Sequence, residues 1–362
     1  MTLPTVASHR HGVVVGKFYP PHLGHADLIE RAAAVCDRVT VVVAASAVET
    51  IPLGDRVRWL AWHHAVTPHV TVVGAVDDHP VDYDDPAIWD LHMDVFISAI
   101  AEVAPGVPVD AVITGEDYGD ELARRLQAES IRVDRSVTGH SGTAARADLA
   151  GRWATLIPAA RMGLARRIVV VGAESTGTTT LATDLARHLD VPVVAEYGRS
   201  WSAAKLAAAR QEAAASGLPA PSFEGLTWTS DEFTQIASVQ QAAMDRVAEA
   251  HALVVSDTDP LATSVWHDRY VGGSHQAALD IARTHPAHLY LLTSPDGVAF
   301  EDDGLRDGEH LRVDMTEMFS TALDRQPAPW ALLEGSRPER LGRALDQVAL
   351  HARLPHLADP LG

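Results

Sequence analysis

The chain has 362 residues, 47% of them hydrophobic, which is more than one core usually encloses and enough for two ordinary domains. A formal net charge of −19 with no segregated lysine and arginine cluster excludes a nucleic-acid backbone as the default partner, and the single cysteine, Cys36, excludes a disulfide framework and suits a reducing cytosol. No apolar run approaches the roughly 18 to 20 residues that cross a bilayer, and residues 1–11 are too short and polar for a signal peptide, so a cytoplasmic protein without membrane insertion is expected.

In chain order, the first half alternates short β-branched runs with helix-period segments. "GVVVGKF", "RVTVVVAAS", "HVTVVGAV" and "VDAVITGE" read as strands, and "HADLIERAAAVC", "GDRVRWLAWHHAV" and "AIWDLHMDVFISAIAEV" as helices. That alternation predicts an α/β fold with a parallel sheet covered on both faces. A new strand, "RIVVVGAE", restarts the pattern, which puts a domain boundary near residues 160 to 166 and predicts domains over 1–163 and 164–362. The second half continues with a loop and helix from Ser175 to Leu189, strand "VPVVAEYG" and an alanine-rich helix from about Ser200 to Ser216. Helix "SDEFTQIASVQQAAMDRVAEA", strands "ALVVSDTD" and "HLYLLTS", a charged loop "EDDGLRDGEH" and a closing helix follow.

Two segments carry chemistry. Gly16 to His25, "GKFYPPHLGH", lies between a strand and a helix, where open α/β sheets bind ligands. His22 and His25, three apart at a helix start, share a face beside unpaired backbone N–H groups, an arrangement suited to phosphate rather than to zinc. Gly172 to Thr180, "GAESTGTTT", has the glycine spacing of a phosphate-binding loop and Thr179 at the hydroxyl position that reaches Mg²⁺, but Thr178 stands where the lysine belongs. Lysine occurs only as Lys17 and Lys205, while arginine is plentiful, so drift at 178 would have produced arginine. The absent charge must come from elsewhere or the site must work less well; the candidates are Arg199, Lys205, and Arg306 or Arg312 from an arginine-bearing lid. Asp257 ends one predicted strand and Glu196 another, on the edge where a kinase would hold an acceptor hydroxyl.

"GKFYPPHLGH" resembles the signature of nucleotidyltransferases that join an adenylyl group to a phosphate, and Ser141-Gly-Thr143-Ala-Ala-Arg146 resembles their second signature, with His140 in place of an aliphatic residue. With "GAESTGTTTLA", "EYGR", "DEFTQIA", "DTDPLAT" and "DDGLR" following in order, residues 12 to 325 resemble the NadR family of nicotinamide-nucleotide adenylyltransferases fused to a ribosylnicotinamide kinase. The departures are Thr178, His140 and Gly115. The resemblance implies a Rossmann-like nucleotidyltransferase domain followed by a P-loop kinase domain, with ATP and Mg²⁺ as cofactors and nicotinamide riboside and nicotinamide mononucleotide as substrates.

By that resemblance, Lys17, His22 and His25 act on ATP phosphates with Gly16, Phe18, Ser141, Thr143 and Arg146. In the second domain ATP meets Gly172, Glu174, Ser175, Thr176, Gly177, Thr178, Thr179, Thr180, Arg306 and Arg312, and Thr179 and Asp257 hold the metal. Asp231, Asp259, Arg199 and Trp266 are expected around the riboside, with Trp89, Trp201 and Trp228 as further partners for a cationic ring. Some relatives carry an N-terminal helix-turn-helix; a first strand near Gly12 leaves no room for one here, and DNA binding is not expected. A homo-oligomer and functional coupling to a riboside transporter are expected. Two other readings stay open: a P-loop domain that senses nucleotide without turnover, and an adenylyltransferase for a pantetheine or flavin phosphate.

Overall fold

The structure, a computed structural model, describes residues 8–134 and 139–361. It divides into two compact units. Leu164 closes the first, Ala165–Leu354 makes the second, and the segment from Pro355 onward belongs with the first. The second unit therefore stops short of the chain end that the sequence pattern assigned to it.

The first unit runs β1 (Gly12–Gly16), α1 (Leu23–Val35), β2 (Val39–Ala45), α2 (Leu53–His63), β3 (Val70–Val76), α3 (Pro86–Val103) and β4 (Ala111–Thr114). It continues with α4 (Gly119–Leu126), β5 (Glu129–Arg132), α5 (Gly142–Ala147) and α6 (Pro158–Leu164). The strands pair in parallel in the order β3-β2-β1-β4-β5. β2 is buried along its whole length, the pattern of a strand covered on both faces. Val13, Val15, Val42, Trp89, Phe96 and Leu122 meet in one core layer. The order reverses direction between β1 and β4, and the ends of those strands, Gly16 and Thr114, open on the same cavity.

The second unit runs β6 (Arg166–Gly172), α7 (Thr178–His188), β7 (Val193–Val194), α8 (Tyr197–Ala215), α9 (Ser230–Ala250), β8 (Leu253–Asp257) and α10 (Pro260–Tyr270). After these come α11 (Gln276–Thr284), β9 (Leu289–Thr293), α12 (Arg312–Asp324), β10 (Trp330–Leu333) and α13 (Arg337–His351). Its sheet is also parallel, in the order β10-β9-β6-β8-β7. β5 and β10 lie at sheet edges and are only four residues long each. The strand expected at "VPVVAEYG" is only two residues long because α8 begins at Tyr197. Among the described residues no helix is long and apolar enough to cross a membrane.

Candidate functional sites

In the first unit the two histidines cap α1 reciprocally. The His25 backbone N–H donates to His22 Nδ1 at 3.3 Å, and the His22 backbone N–H donates to His25 Nδ1 at 3.2 Å. Each Nδ1 is thus an acceptor, so each neutral ring carries its proton on Nε2. The rings stack with centroids 3.5 Å apart and line one cavity. Gly24 fits closely between them, since a Cβ there would lie 3.1 Å from the His22 ring and 3.2 Å from His140 Cβ.

Phe18 sits in the same loop at φ 47, a left-handed conformation rare outside glycine, and its ring meets His25 edge-on at 4.9 Å. A buried ion pair supports the loop from below. Arg56 donates to Glu49 at 2.5 Å and to the Lys17 carbonyl at 2.9 Å, and its guanidinium covers the Tyr19 ring. Burial pushes the Lys17 ammonium pKa down, with the Glu49 and Asp77 charges opposing that shift.

Arg146 on α5 donates to the Tyr19 carbonyl at 3.0 Å and to Thr143 Oγ1 at 3.2 Å, and Ser141 caps that helix. Gly16, Phe18, His22, His25, Ser141, Thr143, Arg146, His140 and Trp89 all line the cavity with Lys17. The C-terminal segment reaches it too. Lys17 Nζ donates to the Leu361 carbonyl, Arg146 lies 3.9 Å from the Asp359 carboxylate, and Ala358 N donates to Thr50 Oγ1 at 3.1 Å.

In the second unit the loop after β6 turns through Ser175 at φ 58 and Gly177 at φ 88 before α7. Gly172 has no room for a side chain, since a Cβ would fall 2.3 Å from Thr293 Oγ1. Thr176 is buried beneath the loop and bonded to the Ala173 carbonyl and Thr293, and Thr180 is exposed outside the cavity lining. Glu174 ties the loop to the lid by accepting from the Gly308 and Asp307 backbones and from Arg269.

Thr179 Oγ1 donates to Asp257 Oδ2 at 2.6 Å. Burial raises the Asp257 pKa against hydrogen bonds from Thr179 and Thr178. Glu196, just before α8, is pushed up to about 7, first by burial and then by the Asp257 charge. The Tyr197 N–H donates to Gln240, which also donates to Ser256 Oγ; this fully buried amide positions the start of α8 beside β8.

The candidate cations separate cleanly. Arg199 and Arg306 line the cavity, and both pair with Asp303 of the lid. Arg312 is instead committed to the carbonyls of Val298, Ser175 and Pro295, and Lys205 to Glu232 and the Thr227 carbonyl. Arg312 thus braces the loop backbone rather than facing its mouth. Asp259 is also a correction: both its oxygens are engaged inside the fold, by Ala262 N at 2.8 Å and Tyr290 Oη at 2.6 Å. Asp231 is exposed and Trp201 bonds Glu232, and neither lines the cavity, whereas Trp228 and Trp266 do. Arg340, which has no motif around it, is buried under the loop and donates to the carbonyls of Thr176 and Ser294.

Comparison with known proteins agrees with this division. A cytidylyltransferase-like family model matches residues 13–118 and an AAA domain model matches residues 167–340. The trifunctional NAD biosynthesis/regulator protein NadR of Escherichia coli is 25% identical over 313 residues, covering 82% of this chain and 71% of that protein; its Salmonella typhimurium counterpart is 25% identical over 311 residues. Together these matches support a NadR-family protein. The same two-unit fold occurs in a NadR crystal structure in complex with NR, with TM-score 0.59 at 22% identity over 98% of this chain and 99% of that one. A NadR structure in complex with NAD and AMP-PNP gives TM-score 0.58 at 21% identity. The first unit is accordingly of nucleotidyltransferase type and the second a P-loop domain.

Proposed function

We propose that this NadR-family chain makes NAD in two ATP-dependent steps. The second unit phosphorylates nicotinamide riboside, and the first adenylates the resulting mononucleotide. The observation that carries the reading is the reciprocal histidine cap of α1, which sets both imidazoles on a cavity that also holds Lys17 and Arg146. The ligands named for the two solved relatives, NR in one and NAD with AMP-PNP in the other, support it.

In adenylyl transfer a mononucleotide phosphate oxygen attacks the ATP α-phosphorus and pyrophosphate leaves. The nucleophile is already anionic, so the site supplies alignment and charge rather than a base. His22 and His25 donate to phosphate oxygens, and Lys17 and Arg146 stabilise the departing charge. In the kinase step the riboside 5′-hydroxyl attacks the γ-phosphorus, ADP leaves, and Glu196 takes the hydroxyl proton. Its pKa of about 7 suits a base working near neutrality. Arg306 and Arg199 supply the cationic charge that Thr178 lacks, and Trp228 or Trp266 faces the pyridine ring. Asp257 and Thr179 would hold Mg²⁺: a hydroxyl and a buried carboxylate already in contact, beside Glu196, form a site with unbalanced negative charge. That ion would neutralise the β- and γ-phosphates.

The purified chain given mononucleotide and ATP should release NAD and pyrophosphate, and given nicotinamide riboside with [γ-³²P]ATP should yield labelled mononucleotide. NAD formation without any labelled mononucleotide would leave the second unit as a nucleotide sensor, the reading that Thr178 favours. Turnover of a pantetheine or flavin phosphate in preference to the mononucleotide would replace the substrate.

A further inference from the structure

A second set of ligand-bearing side chains lies outside the phosphate signatures, with two of its three members on the wall of the first unit's cavity. Asp77 and His79 follow the end of β3, and His92 stands one turn and a half into α3. His79 Nδ1 is 2.9 Å from Asp77 Oδ1, and His92 Nδ1 is 2.6 Å from Asp77 Oδ2. The three ligand atoms lie within 4.8 Å of one another. The Asp77 side chain is 7% exposed and that of His92 13%, and both face the cavity that holds Lys17 and the histidine pair.

The hydrogen positions at His92 follow from its partners. Its Nε2 is 3.1 Å from the Pro80 carbonyl, which can only accept, so Nε2 carries a proton. In a neutral imidazole Nδ1 is then a bare lone pair, and it points at a carboxylate oxygen. Two acceptors at 2.6 Å repel unless a cation lies between them or on one of them. The pair is therefore held together by a shared proton or by a metal ion.

We propose that Asp77, His79 and His92 form a binding site for a first-row divalent transition cation of the zinc class. Two imidazole nitrogens and one carboxylate oxygen are a borderline donor set that suits Zn²⁺, Co²⁺ or Ni²⁺ better than Mg²⁺. The backbone carbonyl on His92 Nε2 is the outer partner that orients a metal-binding imidazole and raises its basicity. Phe96 stacks on the His92 ring at 6.1 Å and fixes its plane. Three protein ligands leave coordination positions open, and the placement of Asp77 and His92 on the cavity wall turns them toward the space taken by a substrate oxygen anion. Only that last step, the identity of the anion as a nucleotide phosphate, rests on the proposed function.

The test uses the full chain, stripped with a chelator and titrated with Co²⁺ alone near pH 7.5, with visible ligand-field absorption as the readout. One Co²⁺ per chain should bind, Zn²⁺ should displace it, and binding should release protons as the imidazole nitrogens exchange H⁺ for metal. His92→Gln and Asp77→Asn should each weaken binding by at least about 100-fold, and His79→Ala, at a more exposed position, by about tenfold. His351→Ala, on α13, should leave binding unchanged. Circular dichroism of each variant guards against unfolding, and the tolerant His79 site keeps the test alive if the other two do not fold. Absence of saturable Co²⁺ binding, or binding of equal strength in all three variants, would overturn the proposal; in that case the cation between His92 and Asp77 is a proton. No nucleotide or turnover enters the measurement, so its failure is separate from failure of the NAD-forming reading.

Discussion

In the first unit the cations and donors stand on the scaffold: Lys17 follows β1, the histidines are built into the start of α1, and Arg146 is tied to the Tyr19 carbonyl. In the second unit the loop after β6 carries no cation, two acidic side chains lie beside it, and the arginines come from α8 and the lid, held there by Asp303. The first arrangement is organised before nucleotide arrives. On the proposed reading the second would exchange the Asp303 pairing for contacts with phosphate, so part of its charge would be delivered by rearrangement. In that reading the absence of a P-loop lysine would transfer an electrostatic task from the loop to the arginines of α8 and the lid.

The sharpest way to break this contrast is to remove one donor from each side. His25→Ala should lower adenylyl transfer by about 10³-fold while sparing kinase turnover, and Asp257→Ala should do the reverse; equal loss of both activities from either change would refute two separable sites. Next in size, Arg306→Ala should lower kinase kcat by about 10²-fold, and adding Thr178→Lys should recover much of it. If Arg306→Ala leaves kcat untouched, the charge does not come from the lid.

Proton uptake should distinguish the units as well. Burial and the Asp257 charge hold Glu196 up to about 7, so below that pH the base is mostly protonated. Kinase kcat/KM should therefore rise with pH, being about tenfold lower one unit below the Glu196 value than on the plateau, while adenylyl transfer lacks that limb. A flat kinase profile from pH 5.5 to 8 would remove Glu196 from the base role. The smallest effect concerns the segment from Pro355, whose contacts with Lys17 and Arg146 would compete with ATP at the proposed site. Deleting residues 358–362 should lower the ATP KM of adenylyl transfer about fivefold with kcat and kinase activity unchanged; a higher KM would mean that the segment helps to bind nucleotide.

Much of this is legible in the sequence. The strand and helix pattern predicted two parallel α/β units because buried parallel strands read as continuous β-branched runs. The two phosphate signatures were legible because each is a local device: a strand end, a tight turn and a helix start within ten residues. Sequence and structure differ where a residue type fits two roles. Asp259 has the look of a substrate ligand, but an aspartate before Pro260 is also a helix cap, and the partner that decides, Tyr290, is 31 residues away. Arg312 on a charged loop looked like a phosphate cation until packing drew it into three carbonyls.

By itself, then, the sequence determined the number of units, their fold class, the two phosphate-binding turns and the missing lysine, all of which follow from spacing along the chain and intrinsic backbone preference. Tertiary structure alone decided which arginines face the second cavity, that Arg340 supports Thr176 from 164 residues away, and that Asp77 meets His92 across the end of β3. Those outcomes depend on the directions in which packed side chains point. Spacing along the chain carries no information about such directions once residues from different elements share one cavity.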